Sequence, residues 1–322
     1  MGTFRLSTLA LPALALFFAA PVVQAQSAKV TRMVVPFAPG GGVDVVARNF
    51  AQHLSKAAGQ QVIVENRPGA SGNIGADAVA KSTPDGTTLL FSASTFVVNP
   101  VVAAQKPPFD PLRDFANIAL IARGPLLFIA HPSAGNSVEQ FIANAKAKPE
   151  RFNMATGGYG SAGHMAAESF KLRAGLAIPV VLYKGTAPAF VDLMGGQISG
   201  ILDPLVTSLP LAKGGKVTAL AIAATRRSPL APAIPTFAEA GLPGFEFYTW
   251  YGLWGPAGLP AATTRSLETA IAETGATAEF RLWLESQGLE FGGLTGKAFL
   301  EFSVREQALY EDIVKKGNIT PQ

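Results

Sequence analysis

The chain has 322 residues, with 26 Lys and Arg against 22 Asp and Glu, and no cysteine. At 48% hydrophobic and 15% charged it can bury two ordinary cores without disulfides, which excludes a disordered or cysteine-stapled chain. The net charge of +4 is scattered, not clustered, which excludes a nucleic-acid surface.

Residues 1–25 read as a cleaved secretory signal peptide. Arg5 supplies the positive start, residues 8–20 are almost continuously apolar, and Val23-Gln24-Ala25 ends on a small residue. The apolar run is too short to span about 30 Å of hydrocarbon. Without cysteine there is no lipobox anchor, so the mature protein is expected in a bacterial periplasm.

Beyond the leader, strand and helix patterns alternate. Residues 33–37 read as a strand, followed by Gly40-Gly41-Gly42 and then Val43, Val46, Phe50 and Leu54 at helical spacing, with Gly59 as the stop. Residues 61–65 are the next strand, 74–81 a short helix and 87–92 a third strand. This β-α-β-α-β order implies a mostly parallel sheet with helices on its faces.

A second block repeats the logic. Residues 115–122 and 126–131 read as strands separated by Gly124-Pro125. Then come a helix over 138–148 capped by Ser137, a strand over 152–156, a glycine loop over 157–163 and a helix over 164–173. Further strands are expected at 180–183, 198–202 and 217–223, with a helix over 188–194. Residues 229–244 are a proline-rich crossing segment, and helices follow over 263–275, 279–287 and 296–316. The expected organisation is domain 1 over residues 26–124, domain 2 over 125–250, and a return to domain 1 over 251–322.

Two stretches share the order strand, glycine loop, helix N-terminus: Phe37 to Asp44, and Thr156 to His164. Helix N-termini expose unpaired N–H groups and a partial positive charge, and glycines let a ligand approach them closely. That makes an anion site without a charged side chain. Ser161 adds a hydroxyl. One such loop is explained by a tight turn; one in each expected domain favours a ligand shared between them.

Other chemistry is sparse. Gly158, Gly160 and Gly163 match a dinucleotide fingerprint, but the following strand ends Leu182-Tyr183-Lys184 without the acid that would hold a ribose. His53, His131 and His164 lack metal-ligand spacing, so no metal and no cofactor is expected. Ser161, His164 and Asp203 can be written as a triad, which leaves a secreted hydrolase as the alternative function. Three residues on one loop-helix junction is nevertheless an unusual nucleophile-base spacing. His164 either orients its loop, donates to a ligand, or is a structural histidine. Asp44 fits a helix cap better than an anion ligand, although it can pair with an amino or hydroxyl group. Trp250, Tyr251 and Trp254 read first as core of a strand, with a place on the pocket wall as the alternative.

At these residues a family becomes recognisable. Val35-Pro36-Phe37-Ala38-Pro39-Gly40-Gly41-Gly42-Val43-Asp44, the Glu65-Asn66-Arg67-Pro68-Gly69 stretch, Pro84-Asp85-Gly86, Tyr183-Lys184-Gly185 and Leu193-Met194-Gly195-Gly196-Gln197 follow one another in order. So assembled, the chain resembles the tripartite tricarboxylate transporter substrate-binding proteins, also called Bug receptors. The resemblance implies an α/β fold of periplasmic binding protein type, a two-domain "Venus flytrap" (type II-like). Each domain would be a mostly parallel sheet flanked by helices. It implies no catalysis, a small organic acid as ligand captured for transport or for a sensing system, membrane transporter subunits as partners, and a monomer. Carried over by position, Pro39, Gly40, Gly41, Gly42, Asp44, Ser94, Thr95, Gly160, Ser161, His164, Thr186 and Asp203 become ligand-binding candidates. Two departures matter. Val43 stands where the family usually has a hydroxyl, and Leu202 where an aromatic is common. Both are expected to make the pocket more apolar, favouring an aromatic or aliphatic acid over citrate.

Overall fold

The computed structural model describes Gly2, residues 30–183 and residues 185–320. Apart from Gly2, the expected leader lies outside the described residues. The elements run β1 (Thr31–Val35), α1 (Gly42–Ala58), β2 (Val62–Asn66), α2 (Asn73–Ala80), β3 (Thr88–Ala93), α3 (Thr95–Val102) and β4 (Phe115–Ala130). They continue with α4 (Val138–Ala147), β5 (Met154–Thr156), α5 (Ala162–Ala174), β6 (Val180–Leu182), α6 (Thr186–Met194), β7 (Gly200–Pro204), α7 (Leu205–Lys213) and β8 (Thr218–Ile222). Last come β9 (Tyr248–Pro256), α8 (Ala261–Ala276), α9 (Ala278–Ser286), β10 (Glu290–Phe291) and α10 (Gly296–Gly317).

Two lobes form around two sheets that share one strand. The first sheet has the order β2-β1-β3-β9-β4, with β1, β2 and β3 parallel and β9 antiparallel to β3. The second has β4-β7-β5-β6, with β8 pairing β4. There β5, β6 and β7 are parallel, and β4 runs against β7. The expectation of two strands at residues 115–131 is corrected here. They are one 16-residue strand, whose first half pairs β9 and whose second half pairs β7 and β8. Gly124-Pro125 does not break it but marks the place where it changes sheets. A proline, lacking an N–H, is tolerated where the regular ladder ends. The suggested divisions at 124/125 and 250/251 fall inside β4 and β9.

Two helices were not foreseen. Both α3 and α7 carry an internal proline, Pro100 and Pro210. That composition reads as loop, yet burial of Phe96, Val97 and Val102 in one case and Leu205 and Leu209 in the other overrides propensity. The helix α10 packs against α3, β4 and α5, so it touches both lobes.

Each lobe has its own aromatic core. In lobe 1, Trp254 packs against Phe96 at 4.8 Å and Phe299 at 5.1 Å, and Trp250 against Phe302 at 5.2 Å. Both indoles find acceptors: Trp250 Nε1 donates to Glu306 at 2.9 Å and Trp254 Nε1 to Asn117 at 3.1 Å. In lobe 2, Phe128 on β4 meets Phe141 and Phe170 at 5.0 Å each and Phe237 at 6.0 Å. Removing that ring leaves a cavity lined by other rings, which cannot collapse easily. We expect Phe128→Ala to cost about 3–5 kcal/mol in urea denaturation. Val191→Ala, at a position 62% exposed, should stay within about 0.5 kcal/mol of wild type.

Candidate functional site

Parallel α/β sheets place ligands beyond the carboxyl ends of their strands. Here the ends of β1, β3, β5 and β7 lead into the turns that line one cavity of about 250 Å3 between the lobes. Lobe 1 contributes Phe37, Gly42, Val43, Ala93, Ser94 and Thr95, together with Thr249 and Tyr251 from β9. Lobe 2 contributes Gly157, Gly158, Ser161, Ala162, Gly163 and Thr186, then Asp203, Pro204, Val206 and Thr207. A wider hollow of about 1,040 Å3 lies between α4 and residues 233–242, away from both glycine loops.

Close backbone approach shapes the lobe 2 wall. A Cβ on Gly157 would stand 2.7 Å from the Thr186 amide, and one on Gly163 only 2.4 Å from the Leu202 carbonyl. Glycine at both positions lets the N-termini of α5 and α6 and the end of β7 meet at one point. Ser161 caps α5, its Oγ accepting the His164 N–H at 3.1 Å and lying 3.0 Å from Thr156 Oγ1. Thr95 Oγ1, also in a cavity-lining residue, is buried and finds no hydrogen-bond partner among the described residues. A buried hydroxyl of that kind calls for a partner from a ligand or water.

The twelve sequence candidates divide evenly. Gly42, Ser94, Thr95, Ser161, Thr186 and Asp203 line the cavity. Pro39, Gly40, Gly41, Asp44, Gly160 and His164 are not among its lining residues. Asp44 is buried and bound within its own chain: Gly40 N–H and Arg48 Nε donate to Oδ2 at 2.9 Å each, and Asn66 Nδ2 to Oδ1 at 2.8 Å. Burial works to raise its pKa, but the bonds from Arg48, Gly40 and Asn66 outweigh it and hold the carboxylate below its usual range. Asp44 therefore clamps the first glycine loop onto β2.

His164, 3% exposed, accepts the Gly160 N–H on Nδ1 at 3.2 Å and lies against Tyr159 at 4.7 Å. Burial, with a smaller push from Lys171, lowers its pKa to about 4, so the ring is neutral with its proton on Nε2. Ser161 is thus occupied as a cap and His164 Nδ1 as an acceptor for the loop. Their side chains are directed at backbone and not at each other, unlike a nucleophile and its base.

Leu202 belongs to the lobe 2 core and does not line the cavity, so its apolar character does not reach the pocket; Val43 does line it. Trp250 and Trp254 are fully buried core, and Tyr251 is the member of that stretch on the wall. Tyr251 thus takes the pocket-wall alternative, and Thr249 was missed although its i, i+2 spacing from Tyr251 puts both on one strand face. Thr207 was missed because its helix was; its hydroxyl donates to Asp203 four residues earlier.

Asp203 is the other buried carboxylate of this region, 6% exposed at the end of β7. Burial pushes its pKa up to about 7, against the pull of hydroxyls from Thr207 and Thr186.

Comparison with known proteins shows the family and the fold. The family model for the tripartite tricarboxylate transporter family receptor matches residues 46–319. Protein BugT of Bordetella pertussis is 39% identical over 243 residues, 74% of each chain. A UPF0065 protein of Bordetella bronchiseptica is 32% identical over 98% of this chain and 94% of its own. Among solved structures, R. palustris Rpa4515 with adipate superposes with a TM-score of 0.84 at 33% identity, covering 91% of this chain and 98% of that one. The periplasmic binding protein BugD gives 0.81 at 30%, covering 91% and 99%. MatC from Rhodopseudomonas palustris with bound malate gives 0.79 at 31%, covering 88% and 99%.

The neutral His164 has a measurable consequence. Its folded pKa lies below the unfolded value, so its contribution to stability is present above about pH 6.5 and is lost as pH falls towards 4. The loss at pH 4 should reach about 3 kcal/mol at most. Urea denaturation at pH 7 and 4.5 should show a shallower pH dependence in His164→Gln than in wild type. Equal slopes would mean that His164 titrates alike in both states.

Proposed function

The chain belongs to the tripartite tricarboxylate transporter receptor family, and on that premise we propose that it captures a small carboxylate-bearing solute between its lobes. It is a solute-binding receptor of periplasmic type and not an enzyme. The observation that carries the ligand reading is the cavity itself. At about 250 Å3 it lies just below the ~300–1,000 Å3 typical of ligand pockets, which suits a small solute. Helix N-termini and hydroxyls converge on it, and no Lys or Arg lines it among the described residues. Such a wall holds an anion through N–H groups and a helix dipole. Two solved relatives hold adipate and malate, which supports an organic acid here.

The reading extends to a cleaved leader over residues 1–25, export to the periplasm, and a monomer that hands its ligand to membrane subunits of the tripartite tricarboxylate type. One ligand touching Ser94 and Thr95 on lobe 1 and Ser161 and Thr186 on lobe 2 binds the closed form better than the open one. It therefore shifts the population towards closure. The crossing segments near Gly124 in β4 and Phe247 before β9 are where the backbone change is absorbed.

Isothermal titration of the mature protein with succinate, malate, glutarate, adipate and benzoate tests the ligand class; saturable binding of at least one, recovered unchanged, is expected. Gly158→Leu should abolish it without loss of thermal stability, because Gly158 lines the cavity and a Cβ there meets nothing within 4 Å. Gly41→Leu, outside the cavity lining, should bind as wild type does. Binding that survives Gly158→Leu would move the site elsewhere. Small-angle scattering should give a smaller radius of gyration with saturating ligand; equal radii would indicate a rigid, preformed pocket.

A further inference from the structure

We infer that the cleft takes up one proton together with its anionic ligand, and that Asp203 holds that proton between itself and the ligand. The inference rests on the carboxylate reading above. Asp203 is on the cavity wall, nearly inaccessible, with one oxygen accepting from Thr207. The end of β7 that carries it lies under the N-terminus of α5, where Gly163 closes on Leu202. Thr186 faces it from α6, Thr207 from α7 and Tyr251 from β9. Of these only Tyr251 is titratable. Burial, aided by the Asp203 charge and opposed by Thr249, pushes it up to about 12, so it stays neutral. No Lys, Arg or His among the described residues lines the cavity.

The cleft therefore presents one carboxyl raised towards neutrality, with hydroxyls and, among the described residues, no lining cation to hold it ionised. A ligand carboxylate entering about 250 Å3 must lie close to it. Two adjacent carboxylates do not both remain ionised, and the more buried one takes the proton. Ordinary carboxylic acids ionise near pH 4, so a solvent-exposed ligand arrives as the anion. A proton from solvent then adds to a carboxylate oxygen of Asp203, and the new O–H donates to the ligand oxygen. No other bond is made or broken. Neutral Asp203 changes from a repelling group into a donor, and the site discriminates by charge. A plain organic acid is held with a proton, whereas an ammonium-bearing ligand would need Asp203 ionised.

The sign is fixed by the free-state value near 7. Below it Asp203 is already protonated and binding needs no further proton. Above it the competent form becomes up to tenfold scarcer per pH unit, and Kd should rise by up to about tenfold per unit. The test is titration calorimetry at pH 8 in phosphate, HEPES and Tris, whose ionisation enthalpies differ. The probes are whichever of succinate, malate, glutarate, adipate or benzoate binds. Wild type should take up between about 0.4 and 0.9 proton per ligand. Asp203→Asn, which keeps an N–H donor in place, should take up none and bind with a Kd independent of pH from 6.5 to 9. Confirmed binding with no uptake by wild type, with release of a proton, or with uptake retained in Asp203→Asn would each overturn the inference while leaving the carboxylate reading standing. Binding of none of the five acids would overturn both.

Discussion

The cleft depends on backbone segments packed closer than side chains allow. Gly157 against Thr186 and Gly163 against Leu202 leave no room for a Cβ, and these contacts bring two helix N-termini and the end of β7 to a single point. A helix end exposes its N–H groups and partial charge only within its first turn. A displacement of the size of a methyl group would thus separate the donors that the wall offers. The hydroxyls of Ser161 and Thr186 are set by the same contacts, because each sits at the start of the helix that the glycine admits.

Three carboxylates behave differently because their surroundings do. Asp44 receives Arg48, Asn66 and the Gly40 amide, stays ionised, and serves as a clamp. Glu306 on α10 is raised by burial and restrained by Trp250 and Tyr310, tying the C-terminal helix to β9 of lobe 1. Asp203 has hydroxyl partners and the cavity. A carboxylate with a guanidinium beside it is structural scaffolding; one with only hydroxyls remains responsive to what enters. The chemistry of the residue type is shared, and the neighbours assign the role.

The shared strand β4 links this local chemistry to movement. Each sheet packs against its own aromatic core, and the polypeptide passes between them in β4 and again just before β9. The helix α10 lies across α3 and α5 and follows both lobes. On the proposed reading, a ligand bound at both walls would be felt in few backbone positions, as hinge closure requires if the cores are to stay intact.

Much of this was written in local sequence. The alternation of strand and helix, the Ser137 cap, and the two glycine loops with Ser161 at a helix start follow from short-range periodicity and capping chemistry, and the family was legible in motifs such as Glu65-Asn66-Arg67-Pro68-Gly69. The sequence also presented Asp44, His164 and Asp203 as polar residues near glycine loops, but it did not separate their roles. That required the partners: Arg48 and Asn66 for Asp44, the Gly160 amide for His164, and for Asp203 a cavity and neighbouring hydroxyls. Only tertiary structure joined residues 115–130 into one strand, folded α3 and α7 around internal prolines, and sent Tyr251 to the pocket while burying Trp250 and Trp254. The physical reason is range. Turns, caps and periodicity are decided within a few residues, whereas burial and hydrogen-bond partnership are decided by segments dozens of residues away.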